Sequence, residues 1–206
     1  MLDIELYGGK RGFIEHARAR ALYALGLYPN VRDINWAAVA GLAFVCQGNI
    51  CRSPYASARA RSLGVRAVSF GLEAADGAPA DPMAVQNALY RGMDLSAHRS
   101  ARAEASSFAK DDLIIVFEPG QLARICRRAG RRTHVSLLGA WSHPVRPHLQ
   151  DPYGRSDRYF QECFSVIDTG VAMLVEQLAR HGVLRRGDAM GTPSGYDDDA
   201  ANRMPI

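Results

Sequence analysis

The segment Phe44-Val-Cys-Gln-Gly-Asn-Ile-Cys-Arg-Ser-Pro54 puts a thiol, a guanidinium and a hydroxyl within a few residues of one another. A short apolar run, Leu42–Cys46, leads into it. Pro54 suits a first helical turn, where its missing N–H is no loss. The segment therefore reads as strand, tight loop, helix, the place where open α/β sheets bind ligands. Its backbone N–H groups would converge at the positive end of a helix, a nest for a tetrahedral oxyanion such as phosphate. Gly48 lets the loop turn freely, and Asn49 is one of the few other residues that tolerate a left-handed backbone. A helix terminus and a nearby guanidinium both favour the thiolate of Cys46, making it a nucleophile. Arg52 can fork onto two phosphoryl oxygens, and Ser53 can donate to the sulfur when it leaves. An ester leaving group also needs a proton, so a carboxylic acid must come from elsewhere in the chain.

Spacing alone does not single out this segment. Cys126 and Arg132 stand at the same separation and are followed by Thr133. That second match lies in a helical pattern with no strand ahead of it, and is a coincidence.

The elements that must hold the loop follow from apolar periodicity. Leu42–Cys46, Val65–Phe70, Leu113–Phe117 and His134–Leu138 read as buried strands. Tyr55–Leu63, Pro82–Gly92 and Gln121–Ala129 read as helices between them, and Arg158–His181 as a long last helix. On that helix Phe160, Phe164, Ile167, Val171, Leu174 and Leu178 form one stripe. This alternation predicts a three-layer α/β/α fold with a parallel sheet. Ahead of it, residues 1–40 form an extension with a helix expected over Arg11–Leu27. Its stripe of Phe13, Ala17, Ala21, Leu25 and Tyr28 should pack on the domain or on a second copy in a homodimer. Residues 41–184 would be the catalytic domain and 185–206 a flexible acidic tail.

Composition bounds the remainder. With 48% hydrophobic and 22% charged residues in 206, the chain is expected to be globular. No apolar run approaches the roughly 18–20 residues of a membrane span. The acidic start lacks the charged and apolar regions of a secretory signal, and four cysteines do not make a disulfide scaffold, so a cytoplasmic protein is expected. Of 25 basic residues 23 are arginine. The cluster Arg124, Arg127, Arg128, Arg131 and Arg132 has no interleaved aromatics, which argues against nucleic acid as a partner.

Three motifs in order carry a resemblance. Val45–Pro54 resembles the phosphate-binding loop of the low-molecular-weight protein tyrosine phosphatases. Asp151-Pro-Tyr-Gly154 resembles the loop bearing that family's general acid, and Gly92–His98 resembles the segment after its second helix. The likeness spans residues 41–181 and implies a four-stranded parallel sheet with the site at its carboxyl edge. It implies that Cys46 attacks phosphorus, that Arg52 binds the phosphoryl oxygens and that Asp151 is acid and then base. Gln47, Gly48, Asn49, Ile50, Cys51 and Ser53 would line or shape the substrate loop, with Tyr153 at the pocket entrance and His98 in a supporting hydrogen-bond network. No metal or cofactor is called for. Cys51 reads equally as a packing residue or as a reversible disulfide partner of Cys46.

The spacing after Gly71 is similar to a bacterial branch associated with exopolysaccharide export. It implies a phosphotyrosine protein as substrate, with a bacterial tyrosine autokinase as the candidate partner. Gln47, Phe70, Glu118 and Ala101 depart from the family pattern. Phe70 stands where a small residue is usual, so the support of Asn49 is expected to be rearranged. Two alternatives stand beside the phosphatase: a thiol-dependent arsenate reductase, which needs further cysteines after the third strand, and a non-catalytic phosphate-binding module.

Overall fold

The computed structural model describes residues 3–28, 32–129 and 134–183. The segment 185–206, expected to be an acidic tail, lies outside them, as do Arg131 and Arg132. Four strands form one sheet: β1 (Gly41–Cys46), β2 (Ala67–Gly71), β3 (Asp112–Val116) and β4 (Val135–Leu137). All neighbours are parallel, in the order β2-β1-β3-β4. β1 is buried along its whole length, as a central strand covered on both faces must be.

The helices are α1 (Lys10–Ala24), α2 (Arg52–Ser62), α3 (Pro82–Leu89), α4 (Pro119–Ala129) and α5 (Asp157–Arg180). The steps β1 to β2 and β3 to β4 run in opposite directions, so right-handed crossovers put α2 and α4 on opposite faces. α5 lies beside α2: the rings of Tyr55 and Phe164 stack 3.9 Å apart, and the Tyr55 hydroxyl donates to Asp168 at 2.6 Å. All six residues of the expected α5 stripe are fully buried. The three-layer α/β/α fold is as the sequence implied. Among the described residues no helix is long and apolar enough to cross a membrane.

The extension departs from expectation in which face it buries. α1 forms, but Gly12, His16 and Ala19 are its buried residues, while Ala17, Ala21 and Leu25 of the expected stripe are exposed. Small side chains explain the choice, since at Gly12 a Cβ would stand 3.2 Å from Gln150 Cβ and closer still to the Tyr7 carbonyl. Close docking is open only to that face. Trp36 and Val39 continue into the main core, with Trp36 edge-on to Trp141 at 5.4 Å.

Candidate active site

β1 ends at Cys46 and α2 begins at Arg52, so the loop between them sits at the carboxyl edge of the sheet. The chain leaves β1 toward β2 on one side and returns to β3 on the other, which makes this edge a topological switch point. Asn49 holds φ at 56°, the left-handed turn its residue type permits. That turn aims its own amide at the sulfur: Asn49 N–H donates to Cys46 Sγ at 3.2 Å. The amides of Gly48, Ile50 and Cys51 make no hydrogen bond among the described residues.

Ser53 Oγ lies 3.0 Å from Cys46 Sγ. It also accepts from Asn49 Nδ2 at 2.8 Å and can donate to the Phe70 carbonyl at 3.3 Å. With one proton to give, the hydroxyl turns to the sulfur when that sulfur is an anion and to the carbonyl otherwise. The Asn49 side chain is held on three sides. Its Nδ2 also donates to Ser69 at 3.0 Å, its Oδ1 accepts from Ala101 N–H at 2.9 Å, and its backbone carbonyl accepts from His98 Nε2 at 2.7 Å. Burial holds the His98 imidazole below its ordinary pKa, which keeps it neutral and suited to that single donation.

Two departures from the family pattern are thereby resolved. Ala101 contributes through its backbone, so its side chain is immaterial. Phe70 does not rearrange the support of Asn49, because its ring turns away to pack edge-on against Phe108 at 5.6 Å while Ser69 supplies the hydroxyl. Gly71 permits this closeness, since a Cβ there would come within 2.9 Å of Asn49 N and Gln47 O.

Arg52 is fully buried. Its Nη2 donates to Asp151 Oδ2 at 2.7 Å, and its Nη1 to the Leu149 carbonyl at 2.8 Å and to Glu118. Burial opposes its charge, but the Asp151 and Glu118 carboxylates outweigh it and raise the guanidinium further above its ordinary pKa. Glu118, a departure at sequence level, is the anchor of the arginine. The Nε of Arg52 is buried without a partner among the described residues, an unmet donor beside the loop that an anion would satisfy.

A cavity of about 140 Å³ opens over the sulfur, lined by Cys46, Gln47, Gly48, Ile50, Cys51, Asp151 and Tyr153. These seven expected residues meet there, while Asn49, Arg52, Ser53 and His98 lie behind them. Gln47 is tied to Glu73 and accepts from Arg124 at 3.1 Å, and Arg124 pairs with Glu73 at 2.6 Å. This polar wall was not foreseen, because Glu73 and Arg124 carry no signal until the fold brings them to Gln47. Burial, together with the Asp151 and Asp81 carboxylates, pushes the Cys51 thiol up, so it remains protonated near neutrality. Cys126 is exposed on α4 and Cys163 is buried in α5.

A parallel sheet that ends in a cysteine-arginine loop, with a carboxylate across the cavity from the sulfur, defines a cysteine-dependent phosphatase. The family model described as low molecular weight phosphotyrosine protein phosphatase matches residues 41–184, and the chain belongs to that family. The protein "Probable low molecular weight protein-tyrosine-phosphatase EpsP" of Ralstonia nicotianae is 36% identical over 141 residues, 67% of this chain and 95% of that one. Among solved structures, the tyrosine phosphatase Wzb of Escherichia coli K30 in complex with sulphate aligns with a TM-score of 0.63 at 29% identity, over 68% of this chain and 99% of Wzb. The YwlE arginine phosphatase from Geobacillus stearothermophilus aligns with a TM-score of 0.61 at 25% identity, over 68% and 92%.

Proposed function

We propose that the protein hydrolyses phosphotyrosine in proteins through a phosphocysteine intermediate. One observation carries the reading: Cys46 Sγ, approached by the Asn49 amide and the Ser53 hydroxyl, shares a small cavity with Asp151. The Cys46 thiolate attacks phosphorus as the bond to the tyrosyl oxygen breaks, and Asp151 gives that oxygen its proton. Arg52 Nε and the free loop amides take the phosphoryl oxygens as charge builds on them. Water then attacks the phosphocysteine, Asp151 takes its proton, and the sulfur leaves as thiolate onto the Asn49 and Ser53 donors. The cavity wall of Ile50, Gly48 and the exposed Tyr153 ring suits a flat aryl group.

The relatives named as protein-tyrosine phosphatases support a phosphotyrosine protein as substrate, and the resemblance to the exopolysaccharide-associated branch supports a bacterial tyrosine autokinase in the cytoplasm as that protein. The exposed Leu25 and Leu27 of the extension are where a homodimer would form. An arsenate reductase needs further cysteines after the third strand, and neither Cys126, exposed on α4, nor Cys163, buried in α5, lines the pocket. The test is hydrolysis of a phosphotyrosine peptide with chelator present, beside a phosphoarginine peptide and the Cys46→Ser variant. Turnover of the phosphotyrosine peptide by wild type, lost in the variant, is expected. Preference for phosphoarginine would replace the substrate, and phosphate binding without turnover would favour the non-catalytic module.

A further inference from the structure

The first part of the extension, residues 3–12, meets the rest of the molecule at the two ends of the Asp151 loop. On the incoming side, Gly8 packs so tightly that a Cβ there would stand 2.9 Å from Gln150 Cγ and 3.0 Å from the Tyr159 ring, at a φ of 77° that already disfavours side chains. At Gly12 a Cβ would stand 3.2 Å from Gln150 Cβ. Arg146 donates to the Leu6 carbonyl at 2.9 Å and lies over the Tyr7 ring at 4.7 Å, while its other nitrogen pairs with Glu162 of α5 at 2.6 Å. On the outgoing side, Ser156, the N-cap of α5, donates to Glu5 at 2.7 Å, and Arg158 pairs with Asp3 and Glu5. Tyr159 closes the circuit by donating to the Gln150 carbonyl at 2.8 Å. Between these clamps run residues 151–155, and Asp151 stands immediately beside the Gln150 that Gly8 and Gly12 press upon.

We propose that the extension is a positioning device for the general acid: residues 3–12 fix both ends of the 151–155 loop and so set where the Asp151 carboxylate meets the leaving oxygen. The inference rests on Asp151 being that acid. A proton donor must reach its acceptor within hydrogen-bond distance, and displacement by about 1 Å can cost roughly a hundredfold in rate. None of the supports of the phosphate loop described above comes from residues 3–12, and Arg52, the one member that reaches the acid loop through Leu149 and Asp151, is anchored by Glu118 as well. Disturbing the extension should therefore impair leaving-group protonation and spare phosphate binding.

The experiment compares kcat/KM of the full chain on phenyl phosphate, whose leaving group needs a proton, and on dinitrophenyl phosphate, whose leaving group scarcely does. The variants are Gly8→Val, Glu5→Ala, Asp151→Asn and, as control, Ile14→Ala on the exposed side of α1. Inhibition by inorganic phosphate reports the loop. Gly8→Val is expected to lose about tenfold on the phenyl ester and under about twofold on the dinitrophenyl ester. Glu5→Ala should show the same bias at about twofold to threefold, with phosphate inhibition and the Ile14→Ala control unchanged. Equal losses on both esters, or none, in folded Gly8→Val would overturn the proposal. Should Gly8→Val fail to fold, Glu5→Ala decides by the same ratio. Asp151→Asn separates the two readings. If it shows no leaving-group bias, the acid assignment falls and the proposal with it; if it alone shows the bias, only the role of the extension falls.

Discussion

The phosphate loop and the acid loop face each other across one cavity but are held by opposite means. Around Cys46 the wiring is short: its partners Asn49 and Ser53 lie three and seven residues away. The acid loop depends on long-range contacts, Arg146 to Leu6 and Ser156 to Glu5, at separations of 140 and 151 residues. The partners of the sulfur thus form with their strand and helix, and bonds of Asn49 to Ser69, His98 and Ala101 reinforce them from farther along the chain. A loop fixed from afar takes its position from the whole fold, here including an extension that lies outside the matched residues 41–184. Arg52 joins the two, since it springs from the first and donates to both Asp151 and the Leu149 carbonyl of the second.

The contrast can be broken in order of effect. Asp151→Asn removes the proposed proton donor while its amide oxygen can still accept from Arg52, so kcat for phosphotyrosine should fall about 10²–10³-fold with a much smaller change in phosphate inhibition. Steady-state kinetics on both readouts check this; parallel losses would mean the two loops are not separable. Glu118→Ala acts at the junction. It deprives the buried guanidinium of one of two carboxylates, and roughly 2 kcal/mol of stability should go with about tenfold weaker phosphate binding. Thermal melts with and without phosphate measure both.

A smaller effect separates the regions by pH. His16, buried in α1 against Tyr7, is held down to about 4, first by burial and then by the charges of Arg146 and Arg20. Its neutral form belongs to the folded state, while the unfolded chain takes up a proton below the ordinary value of about 6.5. Stability should therefore be full above about 6.5 and decline as pH falls toward 4, by on the order of 2 kcal/mol. His16→Phe keeps the ring packing and should flatten that part of the profile in melts at stepped pH. An unchanged profile would mean the extension carries no such coupling.

The same division governs what could be read from the amino-acid order. The strand, the nest and the α5 stripe follow from local rules: apolar runs, a left-handed asparagine, a spacing of three and four. The pairing of Cys46 with Arg52 needed only the loop between them. Glu118, Ser69 and the Leu149 carbonyl were not assigned their parts, because each acts only once β2, β3 and the acid loop are side by side. The buried face of α1 was misassigned for a physical reason. Apolar periodicity marks where a helix could hide surface, whereas α1 docks through Gly12, where closeness rather than hydrophobicity decides.

The central claim is covalent catalysis by Cys46, and the most direct measurement is the intact mass and peptide map of enzyme quenched in acid during turnover of an aryl phosphate. The account predicts one phosphoryl group on the peptide carrying Cys46, absent from Cys46→Ala. Turnover with no phosphoryl group on the protein, or with one on another residue, would contradict it.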